Sequence, residues 1–221
     1  PEGIPLGRPF VHADMTAHRL AAPQGEVLLA RTTAARVGGR TAVVEVELVD
    51  EAGVRVAYSS QQLTFMGAPP QQSAEGRAAF RRMFLSMFRG EVSLPGPLND
   101  VLGIEPVPGP GGGPAWRMPH RDLSRNGFGG LHGGVANALV DAAATGVVAE
   151  DVPGGRGGSA RCLSAALRYL VPGTAGPFRA DPTVLGVSDG QALVRVPIVD
   201  EGADEKLIIL AEACVAVAAA G

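Results

Sequence analysis

One segment of the 221-residue sequence carries the residue types and spacing that chemistry needs: NGFGGLHGGVANALVDAAATGVV, Asn126 to Val148. Five glycines between Gly127 and Gly134 first suggest a phosphate-binding loop. A dinucleotide fingerprint opened at Gly127 would need glycine at position 132, where the sequence has His132, and no Gly-Lys-Ser/Thr follows. The nucleotide reading fails on both counts. After the glycines the pattern predicts a helix over residues 133–149, apolar nearly all round and therefore buried.

Three polar residues interrupt that helix: Asn137, Asp141 and Thr145, spaced by four and so aligned on one stripe. Gly134 precedes Asp141 by two turns and shares roughly that face. A carboxylate in a buried helix costs several kcal/mol unless it is paired or put to use. The helix start offers unpaired N–H groups to an oxygen that gains negative charge, and glycine lets a ligand approach closely. Amides and a carboxylate on one face can polarise an acyl carbonyl and direct water at it. The residues alone leave a second reading open, in which Asp141 anchors a structural hydrogen-bond network and His132 merely satisfies the helix start.

The elements that must position this helix are strands. Glu26–Val37, Arg40–Asp50 and Val54–Phe65 are rich in strand formers and separated by Gly38-Gly39 and Glu51-Ala52-Gly53. Val44, Val46 and Leu48 alternate with Glu45 and Glu47. The same grammar returns in Ala160–Val171, Phe178–Val187, Gln191–Asp200 and Glu205–Val217. TAHRLAAP (Thr16–Pro23) aligns with AALRYLVP (Ala165–Pro172), and VEVELVDE (Val44–Glu51) with VRVPIVDE (Val194–Glu201), at nearly one offset. An internal duplication is the economical explanation. The copies are unequal, since the first lacks a helix and first strand. The chain also begins at Pro1 without a Met, so the sequence is expected to be part of a longer protein. The expected organisation is a partial N-terminal unit (1–66), a connector (67–97) and a complete C-terminal unit (98–221). The connector carries an amphipathic helix over Ser73–Arg89, whose Phe80, Met83, Phe84, Met87 and Phe88 form a stripe, and Leu98–Ile104 reads as a short helical turn.

Composition bounds the function. Apolar residues make up 46% of the chain and charged ones 19%, enough for a packed core. A net charge of −3 argues against a generic nucleic-acid binder. The apolar run Val135–Val148 is too short, and with Asp141 too polar, to span a bilayer. Two cysteines, Cys162 and Cys214, cannot build a disulfide framework and have no metal-ligand neighbours at useful spacing, so buried inert thiols and a reducing cytoplasm are expected. No metal and no cofactor are expected. His120 and His18 read as packing or surface residues, while Arg121, Arg125, Arg156 and Arg161 are candidates to reach phosphates.

The pattern N-x5-H-G-G-x6-D (Asn126, His132, Gly133, Gly134, Asp141), followed by strands that include RYLVP, resembles hotdog-fold acyl-CoA thioesterases of the phenylacetate-pathway type. The resemblance implies an α+β tandem (double) hotdog, in which a long central helix is wrapped by a curved antiparallel sheet and the N-terminal copy is without its helix. It implies thioester hydrolysis of a small-molecule acyl-CoA, with Asp141 as general base or nucleophile. The backbone N–H of Gly133 or Gly134 would hold the thioester oxygen, and Asn126 and His132 would position loop and substrate. The site would lie between two units, where the facing strand supplies His12, Asp14 or Thr16. Asn137, Thr145 and Arg161 complete the candidate substrate contacts. No serine occurs in His12–Leu20, which leaves Thr16 as the only hydroxyl on that strand. The resemblance further implies a homo-oligomer of double-hotdog chains. The alternative reading is a non-catalytic acyl-CoA or lipid binder that kept the fold; a hotdog hydratase is weaker, for want of a paired Asp/His motif.

Overall fold

The structure is a computed structural model, and it describes residues 10–65, 95–152 and 160–217. The expected connector helix over Ser73–Arg89 and the candidate Arg156 lie outside the described residues. Among the described residues eleven strands form one antiparallel sheet in the order β2-β3-β4-β1-β7-β11-β10-β8-β6-β5, with β9 paired to β10. They run β1 Phe10–Arg19, β2 Leu28–Val37, β3 Thr41–Asp50, β4 Arg55–Phe65, β5 Glu105–Pro108, β6 Pro114–Met118, β7 Ala160–Tyr169, β8 Phe178–Ala180, β9 Thr183–Ser188, β10 Gln191–Asp200 and β11 Lys206–Val217. Among the described residues, the α-helices are α1 Leu98–Leu102 and α2 Gly133–Asp151. The single strand expected over Phe178–Val187 is instead β8 and β9, interrupted at Asp181 and Pro182, where proline cannot donate to a ladder.

The duplication is visible as geometry. Asp50 accepts a hydrogen bond from Gln24 N–H at 3.0 Å, and Asp200 accepts one from Thr174 N–H at 2.9 Å. Leu20 and Ala21 donate backbone bonds to Val56 O, as Leu170 and Val171 do to Ile208 O. Each carboxylate thus ties down the loop that follows β1 or its counterpart β7. The copies meet where β1 pairs with β7, from Asp14↔Arg168 through Thr16↔Ala166 to His18↔Ser164. Exchanging residues 150 apart in the chain maps that pairing onto itself, the signature of a local twofold between like strands. The architecture is a tandem hotdog whose N-terminal half has no helix among the described residues.

Helix α2 lies against the C-terminal half of the sheet. Leu139, Val140, Ala143, Ala144 and Val148 are buried in one cluster with Met118, Leu167, Phe178, Val194, Val196, Ile198, Ile208 and Val215. Burying each large aliphatic side chain contributes about 1.5–3 kcal/mol. The alanines and Gly146 let the helix sit close: a Cβ on Gly146 would run into the Trp116 ring. Met15 of β1 joins the same cluster, so the N-terminal half supplies part of this core. A smaller cluster of Ala42, Val44, Leu63 and Phe65 lies within the N-terminal half. Among the described residues no helix is long and apolar enough to cross a membrane.

Candidate active site

The start of α2 is built by its own loop. Asn126 Oδ1 accepts from the N–H groups of Phe128 (2.9 Å) and Gly130 (3.2 Å), and its Nδ2 donates to Leu131 O at 3.3 Å. This folds the glycine run back so that His132 becomes the N-cap. His132 Nδ1 accepts from Gly134 N–H at 3.1 Å, and Ala136 N–H reaches His132 O at 3.0 Å. Those two bonds satisfy half of the first turn. The N–H groups of Gly133 and Val135 have no acceptor among the described residues. Gly133 O accepts from the Tyr169 hydroxyl at 3.1 Å, which fixes the helix end against β7.

A cavity of about 410 Å³ runs along one side of this helix, lined by Arg19, Pro97, Leu98, Asn99, Gly134, Asn137, Ala138 and Asp141. It joins the helix start to Asp141. The rise between Gly134 and Asp141 is roughly 10 Å at 1.5 Å per residue, and helical side chains lean toward the N-terminus. Burial pushes the Asp141 carboxyl above the usual carboxylate range, while Arg19 and a hydrogen bond from the Cys162 thiol pull it back. Burial and the neighbouring Asp141 push that thiol up to about 12, so it stays protonated, and it donates to Ser164 O at 3.4 Å. Asn137 Oδ1 is buried on this side of the helix with no partner among the described residues.

Other expected site residues fall differently. His12 reaches the helix start from β1: its Nδ1 would lie 3.2 Å from a Cβ on Gly133, and its ring stands 5.8 Å from that of Tyr169. His12 Nε2 donates to Gln61 Oε1 at 2.9 Å, an orientation supported by Gln61 Nε2 donating to Ser59 Oγ. Burial lowers the pKa of His12, the Gln61 bond partly offsetting it; burial and His12 together lower that of His132. Asp14 is exposed and Thr16 half-buried, on the face of β1 away from Met15. Thr145 donates its hydroxyl to Asp141 O at 2.6 Å and Ala142 O at 3.3 Å, so it is spent on the helix backbone and is not on the cavity wall. Arg161 is exposed at the start of β7 and does not line the cavity. The Gly134 N–H, one of the two expected oxygen-holding donors, is engaged by the His132 cap.

Arg19, Cys162, Leu98 and Asn99 are the site residues that sequence reasoning missed. A signal for Arg19 was present, because it follows Met15 and Ala17 at strand period. A bulge at Ala13 hid the face of His12 instead: β1 pairs His12↔Leu63 and then Asp14↔Gln62. One extra residue turns His12 to the face of Met15 and Arg19, and Asp14 and Thr16 to the other.

Residues 4–57 match the thioesterase superfamily. No curated protein sequence matches the chain significantly. Among solved structures, an acyl-CoA thioesterase II from Mycobacterium marinum is 14% identical with a TM-score of 0.62, covering 95% of this chain and 81% of that one. A 12:0-ACP thioesterase from Umbellularia californica is 13% identical with a TM-score of 0.56, covering 93% of this chain and 72% of that one. A thioesterase from Haemophilus influenzae, 19% identical with a TM-score of 0.50, covers 68% of this chain and 94% of that one. At these identities the likeness is one of fold. The chain has the hotdog fold, and its residues 4–57 resemble the thioesterase superfamily in sequence.

Proposed function

We propose that the protein hydrolyses an acyl-CoA thioester, with Asp141 directing water at the carbonyl carbon. The observation that carries this reading is the cavity that connects Asp141 with the start of α2. In this reaction water adds to the carbonyl carbon and gives a proton to Asp141. The oxygen of the tetrahedral intermediate is received by the positive end of α2, where the Gly133 and Val135 N–H groups are the free donors. Collapse breaks the carbon–sulfur bond, and Asp141 returns the proton to the departing CoA thiolate. Burial suits the carboxyl to this work, because a raised pKa makes it a stronger base and then a serviceable acid near neutral pH. Asn126 and His132 shape the donor end, and Asn137 faces the acyl group. The site lies between an N-terminal unit ending near residue 66 and a C-terminal unit beginning near residue 98.

The test is turnover of acyl-CoA esters of graded chain length, aliphatic and aromatic, followed with a thiol reagent. The parent protein is expected to release CoA from at least one, and D141A to lose about 10²–10⁴-fold in kcat, the usual worth of a positioned base. Equal turnover by parent and D141A overturns the mechanism. Tight binding of acyl-CoA without release of thiol favours the non-catalytic binder.

A further inference from the structure

The side chain that balances Asp141 comes from the other half of the chain. Met15 and Ala17 of β1 occupy one face, Met15 in the core cluster around α2, and Arg19 follows on that face. The β1–β7 register reaches His18↔Ser164, which sets Arg19 beside the β7 segment that carries Cys162. Arg19 and Asp141 line the same cavity. Among the described residues the two do not close a direct ion pair, so the cavity separates them.

We propose that Arg19 is a positioning residue for Asp141, a guanidinium delivered from the N-terminal half to hold the buried carboxyl as a carboxylate facing the cavity. The proposal rests on the thioesterase reading only for its consequence on turnover. A half-buried carboxyl with no counter-charge takes up a proton, and a protonated Asp141 cannot accept one from water. Cys162 on β7 offers a neutral thiol and cannot supply the missing charge. Arg19 on β1 and Cys162 on β7 are the titratable groups that act on Asp141; α1, β6 and β8–β11 contribute none among the described residues. An arginine suits the task because it remains charged throughout the working pH range. The working site therefore needs both halves of the chain.

The experiment is a carboxyl 13C NMR titration of the full chain, with the Asp141 resonance assigned by its absence in D141N. R19Q and R19A are expected to move the Asp141 midpoint to higher pH, and R19K to bring it back toward the parent value. An unmoved midpoint overturns the proposal, whether or not the protein turns over any ester. In the acyl-CoA assay the acidic limb of kcat should move up in pH in R19Q, with KM changed little. A raised KM for CoA esters alone, with midpoint and limb unmoved, also overturns it and makes Arg19 a contact to the CoA phosphates. Loss of D141A sensitivity with a shifted R19Q midpoint defeats the hydrolytic reading while leaving the Arg19–Asp141 coupling intact.

Discussion

His12 of the N-terminal half stands directly behind Gly133, the first residue of the C-terminal helix, with its Nδ1 3.2 Å from where a Gly133 Cβ would lie. The Tyr169 hydroxyl would be 3.1 Å from the same point while it donates to Gly133 O. The helix start thus touches strands of both halves, and a side chain at position 133 would sit tightly against both. G133A is expected to destabilise by about 1–3 kcal/mol, the cost of overpacking. H12A should relieve part of that loss in the double variant. Urea unfolding of the four proteins checks it, and a non-additivity near zero would mean that His12 does not press on the helix start.

The two histidines also set a pH dependence. His12 and His132 both have folded-state pKa values lowered by burial, so the unfolded chain binds their protons more readily. The stability they contribute is fully present above the unfolded value of about 6.5 and is lost as pH falls through the folded values. Thermal unfolding should therefore show Tm falling as the pH drops below about 6.5, and the fall should be shallower in H12Q. An equal slope in both proteins would remove His12 from the account.

His132 is an uncommon N-cap, since its ring nitrogen does the work usually given to a short oxygen-bearing side chain. H132A leaves Gly134 N–H without its acceptor and is expected to cost about 1 kcal/mol. H132N restores an acceptor at the right reach and should recover most of that loss in a chemical denaturation midpoint. If H132N and H132A are equally destabilised, the ring contributes through packing and not through the cap.

The buried helix and the duplicated strands were legible because each follows from a local pattern: apolar residues on every face, alternation of period two, or two matching eight-residue strings. Asp141 and Gly134 were legible as a pair because two helical turns separate them. The facing strand was not. Its register depends on the bulge at Ala13, which no periodicity announces, and Arg19 is placed only through the pairing of β1 with β7. Thr145 lies on the expected stripe, but a hydroxyl in a helix can bond to the preceding turn, and here it does.

The close fit of α2 on the sheet predicts the effect of filling its glycine. Ala at position 146 gains up to about 1 kcal/mol in helix propensity. It must also displace Trp116, a ring on β6 that is only 7% exposed. Overpacking against a rigid aromatic costs about 1–3 kcal/mol, so the net change is destabilising. Calorimetry should show a lower Tm for G146A with its Trp116 fluorescence shifted, and G146A combined with W116F should recover part of the loss. A stabilised G146A would show that the helix can move off the sheet at little cost.

Asp141 itself should trade stability for function. Its folded pKa is raised above the unfolded value, so between the two the folded chain holds a proton that the unfolded chain has released. Stability therefore declines as pH climbs from the unfolded value of about 3.9 through the folded one, and the penalty is complete above it. D141N keeps the shape of the side chain and removes the charge. It is expected to raise the denaturation midpoint at neutral pH while abolishing turnover, and to lose its advantage near pH 3, where the parent carboxyl is protonated in both states. Measured side by side, a neutral-pH gain that vanishes in acid shows a carboxylate held in the cavity against its own solvation. A D141N protein that is less stable than the parent at neutral pH would instead make Asp141 an anchor of the structure, and the base for hydrolysis would have to be sought elsewhere on the cavity wall.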